Sequence, residues 1–473
     1  MASGIYVDTG RSVYEFNCNS IEEEEGVFPY LRKDYIIRKV DIDGKKKIAL
    51  YNIYDNKRSV EINEDALAVI TCFTGESSKE EIANKIVSNY KISYDEALSK
   101  LNNLLQTLEE KEIIGLAEQK DSKYCFPKLQ STKGLLNHAY ILLTNRCNLK
   151  CLHCSVDGGQ KLRHELKKEE WVDLIDQIYE MMVPGVTFTG GEPTLLEYLP
   201  ELVQYTSSKP IKTHLMTNGY NIDETYAELL VKSGLVHVNV SLDGAQDGTH
   251  DAFRCINGSY RKAIEAIKIF KSLNIYVETT TVINQFNCDE IKEIIKIGDN
   301  LKVDNMKFVP IIPYGRGSNC DFKFSMDQYI KNLDEILPLY DRYGNIYNKL
   351  IKKDLIQQLA EGKEALLRCG AGTGIIGIAS DGNVHPCNNL NMITMGNIKE
   401  KKLIDIYNNT NKLCEMIETM SIKGAECEYC SLLDYCHGGC PMISYCYNGD
   451  FKRCDPTRKG LVLKMMQEGD GCN

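Results

Sequence analysis

The sequence predicts an α/β protein with three parts: a partial barrel of six β–α units, an α+β module of winged-helix size before it, and a cysteine-rich segment after it. Three observations predict this. Strand-like and helix-like stretches alternate regularly between residues 138 and 312. Before them, three short β stretches give way to three helical patterns. The chain after Cys369 is loop-rich and carries the largest group of the 19 cysteines.

With 473 residues the chain has room for roughly two to four domains and can bury a large core. Its apolar share of 43% and charged share of 26% are ordinary for a soluble globular protein. A formal net charge of −10 argues against nucleic acid or an anionic membrane as partner, since either needs clustered basic surface. The start, MASGIYVDTGRSVYEF, lacks the basic residues and apolar stretch of a signal peptide, and no apolar run approaches a membrane span. A cytoplasmic location is expected. In a reducing compartment the cysteines do not read as a disulfide framework, so metal binding is the first alternative.

Residues 1–25 end in the acidic run Glu22–Glu25 and read as a solvated extension. The module over 26–116 opens with the strand patterns DYIIRKVD, KKKIALYNI and KRSVEIN, separated by the polar turns Asp43-Gly44 and Asp55-Asn56. Helices are predicted over 64–73, 77–90 and 93–113. Asn63 can cap the first, Ser77-Ser78 precede Glu80-Glu81 in the second, and Ser93-x-Asp95-Glu96 opens the third. The one basic run, Lys45–Lys47, reads as part of a turn, which disfavours a winged-helix DNA binder. A Lys-, Ser- and Gln-rich linker spans 117–134.

The barrel is expected over 135–320. Its strand candidates are 138–144, 185–189, 211–217, 236–242, 276–283 and 305–312, with helices near 167–182, 197–207, 223–233, 258–273 and 288–299. Such a series argues for a parallel sheet curling into a partial (β/α)6 barrel of the TIM type. Chemistry in such folds sits at the C-terminal ends of the strands. Residues 321–364 read as a helical connector. The domain over 365–473 has little apolar core of its own and is expected to need metal to fold.

Directly after the first strand, TNRCNLKCLHC carries Cys147, Cys151 and Cys154 as Cys-x3-Cys-x2-Cys, with no fourth cysteine nearby. A cubic iron–sulfur cluster needs one ligand per iron, so three thiolates leave one iron open. The alternative is a zinc knuckle, which would want four ligands, usually as two Cys-x2-Cys pairs. The second strand runs into Thr189-Gly190-Gly191-Glu192-Pro193, where glycines allow close approach to a ligand and a carboxylate can accept from an ammonium group. An ordinary glycine turn is the alternative. The third strand ends at Met216-Thr217-Asn218-Gly219 and the fourth at Ser241-Leu242-Asp243-Gly244. The stretch SLDGAQDGTHDAFR closes on Arg254, whose planar fork suits a carboxylate. Turn or cap chemistry is the alternative for Ser241 and Asp243.

Together these segments resemble the radical S-adenosylmethionine (SAM) enzymes. The cysteine loop, with His153 before its last cysteine, is similar to their signature loop, and Gly190-Gly191-Glu192-Pro193 to the motif holding the methionine amino group. The resemblance implies that Cys147, Cys151 and Cys154 are catalytic and bind the SAM cluster. It also implies that His153, Gly190, Gly191, Glu192, Pro193, Ser241, Asp243 and Arg254 form the cofactor site, the serine and arginine contacting SAM. An electron from the cluster would break a carbon–sulfur bond of SAM and free a 5′-deoxyadenosyl radical. Where relatives place Gly after the arginine this chain has Cys255, read as a core thiol. The sixth strand, NMKFVPIIPYGRG, resembles the family's last barrel strand, with Ile311 and Ile312 as candidates for packing the adenine.

Beyond Cys369 come Gly382, Cys387, Cys427-x2-Cys430-x5-Cys436-x3-Cys440 and Cys454, a pattern that resembles the SPASM extension of peptide-modifying radical SAM enzymes. A zinc ribbon is the alternative, since Cys427-x2-Cys430 alone would satisfy it. The resemblance implies an outer auxiliary cluster on Cys427, Cys430, Cys436 and Cys454 and an inner one on Cys369, Cys387 and Cys440. Three [4Fe-4S] clusters and SAM are thus the expected cofactors. The stretch EGKEALLR lacks the eighth cysteine that some relatives place there, so the inner cluster has an open iron or borrows Cys446 or Cys472. Cys18, Cys72, Cys125, Cys288, Cys320 and Cys414 have no partner spacing and read as buried thiols.

The N-terminal module resembles the leader-peptide-binding (PqqD-like) element related to the small chaperone of pyrroloquinoline-quinone biosynthesis, which captures a peptide as an added strand. The resemblance implies maturation of a ribosomally made precursor peptide, with a flavodoxin or ferredoxin-type electron donor. The favoured reaction is a thioether cross-link from Cys sulfur to carbon, as in sactipeptide maturases; carbon–carbon cross-linking and epimerisation compete with it. Sulfatase maturases generally lack the N-terminal module and carry a catalytic aspartate where this chain has Asn388. A non-catalytic iron–sulfur electron-transfer or scaffold protein is the reading from another class. The Gly190–Pro193 turn and Arg254 speak against it, because electron transfer needs no amino-acid-binding groups. Asp381 and Glu278 are positional candidates for the proton acceptor.

Overall fold

The computed structural model describes residues 7–8, 27–32, 35–42, 45–52, 60–120, 131–132, 136–319, 369–436, 438–460 and 463. The connector over 321–364, the turns at Asp43-Gly44 and Asp55-Asn56, Cys18, Cys125, Cys320, Cys472, the side chain of Cys414 and most of 1–25 and 117–134 lie outside the described residues. The chain divides into two units, Met1–Leu135 with Ile178–Pro184, and Leu136–Gln177 with Gly185–Asn473.

The first unit holds β1 (Val7–Asp8), β2 (Phe28–Leu31), β3 (Tyr35–Ile42), β4 (Lys45–Asn52), β5 (Val60–Ile62), α1 (Glu64–Ile70), α2 (Lys79–Tyr90), α3 (Tyr94–Glu110), β6 (Ile114–Ala117) and β7 (Ser131–Thr132). Its main sheet runs β1-β5-β4-β3-β7, and β2 pairs with β6 apart from it. Lys45–Lys47 is not in a turn. It begins β4, in register from Ile42↔Lys45 to Val40↔Lys47, because strand pairing uses main-chain groups that a basic side chain does not oppose. The three helices start where side-chain acceptors meet free amides: Asn63 accepts from Ala66 N at 2.8 Å, Ser93 from Glu96 N at 3.2 Å, and Ser78 with Glu81 closes a reciprocal capping box. Helix α3 buries Ala97, Leu101, Leu104, Leu105 and Leu108 along one face, against a core that includes Ile37 and Leu50.

Next come β8 (His138–Leu142), α4 (Lys168–Glu180), β9 (Gly185–Thr189), α5 (Leu199–Ser207), β10 (Lys212–Thr217), α6 (Glu224–Lys232), β11 (His237–Ser241), α7 (Asp247–Arg254), α8 (Ser259–Ser272), β12 (Tyr276–Ile283), α9 (Ile291–Asn300) and β13 (Asn305–Pro310). Strands β8 to β13 pair in parallel in chain order, the partial barrel expected from the alternation. Helix α7 was not expected. Its sequence DGTHDAFR is polar, yet it buries His250, Phe253 and Arg254.

The cysteine-rich segment, expected to have little apolar core of its own, adds strands to the barrel sheet. β14 (Ile375–Ile378) lies parallel to β8, from Ile375↔His138 to Ile378↔Ile141, and β15 (Asn383–His385) and β16 (Gly396–Asn397) continue antiparallel. The barrel sheet thereby has nine strands, and Ile376 and Ile378 are fully buried in it. Then follow α10 (Leu403–Tyr407), α11 (Thr410–Met420), α12 (Leu433–Cys436) and α13 (Pro441–Asn448). Among the described residues no helix is long and apolar enough to cross a membrane.

The barrel core packs Ile141, Phe188, Leu215 and Val240 of the strands with Trp171, Leu230 and Phe270 of the helices, all fully buried. Phe188→Ala is expected to cost about 3–5 kcal/mol, read as a lower urea midpoint for the barrel transition. An unchanged midpoint would contradict this packing.

Candidate functional site

Parallel pairing brings the C-terminal strand ends to one rim: Leu142 opposite Thr189, Thr217 opposite Val240, and Ser241 opposite Thr280. The cysteine loop leaves β8 at this rim. Leu143 N donates to Thr189 O at 2.9 Å, and the loop folds back on itself through Cys147 N to Gly159 O at 3.0 Å.

The glycine pair lets two stretches of main chain meet. Gly190 has φ +130°, and a Cβ there would lie 2.5 Å from Thr144 O; at Gly191 it would lie 2.2 Å from Arg146 O. The close neighbour is the cysteine loop's own backbone, which accepts from Gly191 N at 2.7 Å and Glu192 N at 2.8 Å. Glu192, 1% exposed, also looks inward. Its Oε1 accepts from Thr217 Oγ1 at 2.8 Å and from Thr194 N and Oγ1 at 3.1 and 2.7 Å, and its Oε2 accepts from Asn218 N at 2.8 Å. Burial pushes its carboxyl up, opposed by the Asn218, Thr194 and Thr217 hydrogen bonds. The carboxylate therefore ties the ends of β9 and β10 together. Pro193 opens a short 3-10 turn beside it and is buried.

Each loop sulfur has a donor aimed at it. Leu149 N donates to Cys147 Sγ at 3.4 Å, Gly158 N to Cys154 Sγ at 3.2 Å, and Arg254 Nη1 to Cys151 Sγ at 3.8 Å. Such donors suit thiolates and cluster-bound sulfur, so the residues fit the expected group. Burial pushes the Cys151 thiol up to about 12 and also raises that of Cys147, so metal binding there must displace protons. Two residues not singled out from the sequence hold the loop. Glu165 accepts from Thr144 Oγ1 at 2.8 Å and Asn145 N at 2.7 Å, and Arg316 donates to Cys151 O at 3.0 Å and Gly158 O at 2.7 Å. Arg316 sits in the quoted run IPYGRG; nothing in the sequence marks Glu165.

Arg254 is buried and already paired. Its Nε and Nη2 bond Asp243 Oδ2 at 2.8 and 2.6 Å, while Asp243 Oδ1 accepts from Val282 N at 2.8 Å. Burial alone would push the Asp243 carboxyl up; the Arg254 guanidinium against it wins and holds it down. Asp243 has no exposed surface and brackets Arg254. His153 stacks on Phe253, centroids 4.2 Å apart, and burial lowers its ring to about 4. Ser241, half-buried, ends β11. Cys255 is exposed, not a core thiol. It ends α7 at φ 57°, which explains the preference for glycine at such a left-handed cap. Cys288 is buried and Cys72 half-buried.

The tail thiols separate into two neighbourhoods. The Cys440 thiol is raised by burial and then by Cys369, with Asp455 and Cys387 adding to it, so the inner three sulfurs lie within electrostatic reach. Cys436 feels Cys454, Cys454 feels Cys427, and Cys430 packs beside Cys427. Cys446 rests on the same apolar core as Cys387, where burial alone raises its thiol to about 11. Asp455, also missed, accepts from Cys440 N at 2.9 Å and so joins the two neighbourhoods. Among the described residues no three Cys, His, Asp or Glu side chains converge on a single metal ion.

A cavity of about 500 Å³ runs through the barrel. His153 and Ser155 of the cysteine loop line it on one side, Asn388, Asn389 and Ile443 of the tail on another. Ile312 lines it too, whereas Ile311 is buried at 2% exposure and unavailable to an adenine. Asp381 accepts from Asn383 N at 3.1 Å and Nδ2 at 2.8 Å in the β14–β15 turn. Glu278 lines the cavity but is paired with Lys307 at 2.6 Å.

Gly191→Ala is expected to dislodge the cysteine loop and lower bound iron by about four atoms per chain, counted colorimetrically. In the metal-free chain at pH 8, Cys151 is expected to alkylate about tenfold or more slower than exposed Cys255, read by mass spectrometry.

Residues 141–297 match the model of the radical SAM superfamily, and residues 369–440 match that of the SPASM iron–sulfur cluster-binding domain. The Fe-coproporphyrin III synthase of Methanosarcina barkeri is 29% identical over 343 residues, covering 67% of this chain and 86% of its own length. The mycofactocin maturase MftC of Mycobacterium tuberculosis is 28% identical over 314 residues, 64% of this chain and 78% of the relative. Among solved structures, Streptococcus suis SuiB bound to precursor peptide SuiA superposes with a TM-score of 0.63 at 16% identity, over 90% of this chain and 98% of that one. The chain therefore carries a radical SAM domain followed by a SPASM iron–sulfur domain.

Proposed function

We propose that this protein is a radical SAM peptide maturase that installs a thioether, from a cysteine sulfur to a carbon, within a ribosomally made precursor peptide. The observation that carries the reading is the cavity. It is flanked by the three-thiol loop on one side and by neighbours of Cys387 and Cys440 on the other. A peptide segment held there would lie between two iron–sulfur sites.

In this reading Cys147, Cys151 and Cys154 hold the first [4Fe-4S] cluster, Cys427, Cys430, Cys436 and Cys454 the outer auxiliary one, and Cys369, Cys387 and Cys440 the inner. Together with SAM, the first centre supplies a 5′-deoxyadenosyl radical able to take a hydrogen atom from unactivated carbon. The chain's own residues orient and shield. Arg254 presents a fixed cation beside Cys151, held by Asp243. Glu192 keeps β9 and β10 aligned so that the rim retains its shape. Apolar Val282, Val309 and Ile312 of the cavity wall exclude water from a reactive carbon centre. An inner site with three cysteines leaves a position for a substrate thiolate, which favours sulfur–carbon bond formation over carbon–carbon cross-linking or epimerisation. The leader would bind the N-terminal unit over 26–116, and a flavodoxin or ferredoxin-type donor would supply electrons.

The SuiB structure holds a precursor peptide and spans 90% of this chain, including a counterpart for much of what the sequence relatives leave uncovered. A second reading comes from those relatives. The Fe-coproporphyrin III synthase aligns over 86% of its length, which favours a tetrapyrrole substrate. The mycofactocin maturase covers a similar 64% of this chain, so the sequence relatives do not separate the two substrates, and the peptide reading is favoured by the SuiB structure.

Incubation of the iron-loaded chain with SAM under reducing, anaerobic conditions is expected to release 5′-deoxyadenosine, and its absence would leave a scaffold role standing. With a cysteine-bearing precursor encoded nearby, the product is expected to lack one pair of hydrogen atoms per bridge. Unchanged mass would point to epimerisation. Replacing Cys147, Cys151 and Cys154 by Ala is expected to abolish both outcomes.

A further inference from the structure

The floor of the barrel cavity is polar, where branched apolar side chains ordinarily fill such an interior. His138 of β8, His214 of β10 and His237 of β11 stand in a row, with ring centroids 5.3 and 4.5 Å apart. Gly185 of β9 makes the row fit, since a Cβ there would lie 2.5 Å from His138 Nδ1. His138 Nε2 is 2.7 Å from Thr187 Oγ1. Glu278 accepts from Asn239 Nδ2 at 2.5 Å and Asn305 Nδ2 at 2.6 Å, and it pairs with Lys307.

Four buried atoms of cavity-lining residues have no hydrogen-bond partner among the described residues: His153 Nδ1 at the cysteine loop and, on the floor, His214 Nε2, His237 Nε2 and Asn239 Oδ1, with Glu278 Oε1 no nearer to His237 Nε2 than 4.0 Å. Asn239 is 6% exposed, and its amide nitrogen is committed to Glu278 and Thr280, so its free oxygen is an obligate acceptor. Buried polar atoms normally find partners, and three on adjacent strands of one cavity ask for a common one. Burial keeps the three rings neutral, those of His138 and His237 down to about 4 and that of His214 lower still. A neutral imidazole donates or accepts according to its tautomer. Among the lining residues the only full charges are Glu278 and Lys307, which satisfy each other. A charged guest would have to compete with that ion pair, and an apolar guest would leave all three floor atoms dry and unpaired.

We propose that this floor is a recognition subsite for a side-chain carboxamide on the peptide that enters the barrel. A carboxamide supplies donors for Asn239 Oδ1 and both a donor and an acceptor for the two imidazoles. The inference rests on the peptide-maturase reading and names the chemistry its cavity selects.

The test uses three blocked amino acids as probes: the N-acetyl methylamides of glutamine, methionine and glutamate. Each is titrated calorimetrically into the cluster-loaded, SAM-bound full chain. The glutamine probe is expected to bind about tenfold or more tighter than either of the others. In His214→Leu and in His237→Leu the advantage is expected to shrink to about twofold or less. His214→Gln, which keeps a hydrogen-bonding group, is expected to restore it. No binding of the glutamine probe, binding no tighter than methionine, or an advantage that the Leu variants leave intact would overturn the subsite. The two variants lie on separate strands, so failure of one to fold leaves the other decisive. Release of 5′-deoxyadenosine from SAM in the same preparation is read separately. Without release the maturase reading falls and the subsite with it; release without discrimination removes the subsite alone.

Discussion

At the mouth of the barrel two stretches of main chain touch with no side chain between them. The turn after β9 lies against Thr144–Arg146, close enough that a Cβ on Gly191 would sit 2.2 Å from Arg146 O. That contact places the cysteine loop over the strand ends and sets where its three sulfurs stand. The same turn delivers Glu192 to Thr217 and Asn218, so one short segment fixes both the loop and the next strand end. Glu165 and Arg316 then hold the loop from its two ends by hydrogen bonds to its backbone and Thr144. A site held this way needs little rearrangement when a charged group arrives, which is what preorganised electrostatics requires.

Charge inside the second unit is handled by pairing or by neutrality. Arg254 and Asp243 are buried together, and the guanidinium keeps one edge toward Cys151. A lone buried carboxylate or guanidinium there would be strongly destabilising, so neither residue can be altered without disturbing the other. The histidines lower in the barrel follow the other course and remain uncharged, leaving hydrogen-bonding capacity without net charge. The cavity floor keeps one ion pair, Glu278 with Lys307, among uncharged polar side chains.

Much of the barrel was legible because its signal is local. Each of the six strands alternates or concentrates apolar residues, and each boundary lies within about two residues of the expected one. The first three helices were legible from their capping residues for the same reason. Helix α7 was hidden because its burial depends on Arg254 pairing with Asp243, a contact that local hydrophobicity does not report. Cys255 was misread because exposure at a left-handed helix cap cannot be told from a core thiol by residue type. The addition of β14 to β8 joins segments more than two hundred residues apart, and no periodicity in either announces the other.

By itself the sequence determined which residues could carry the chemistry: three spaced cysteines after one strand, Gly-Gly-Glu-Pro after the next, and the seven-cysteine pattern in the tail. Spacing along a chain survives any fold, so these candidates could be named without coordinates. Only the tertiary structure decided what each residue faces. The glycines meet the loop's backbone, Glu192 meets strand ends, Asp243 meets Arg254, and the histidines of three separate strands meet one another. Those relations arise from strand order and register in the sheet, which bring together side chains far apart in the chain and cannot be read from any one segment of it.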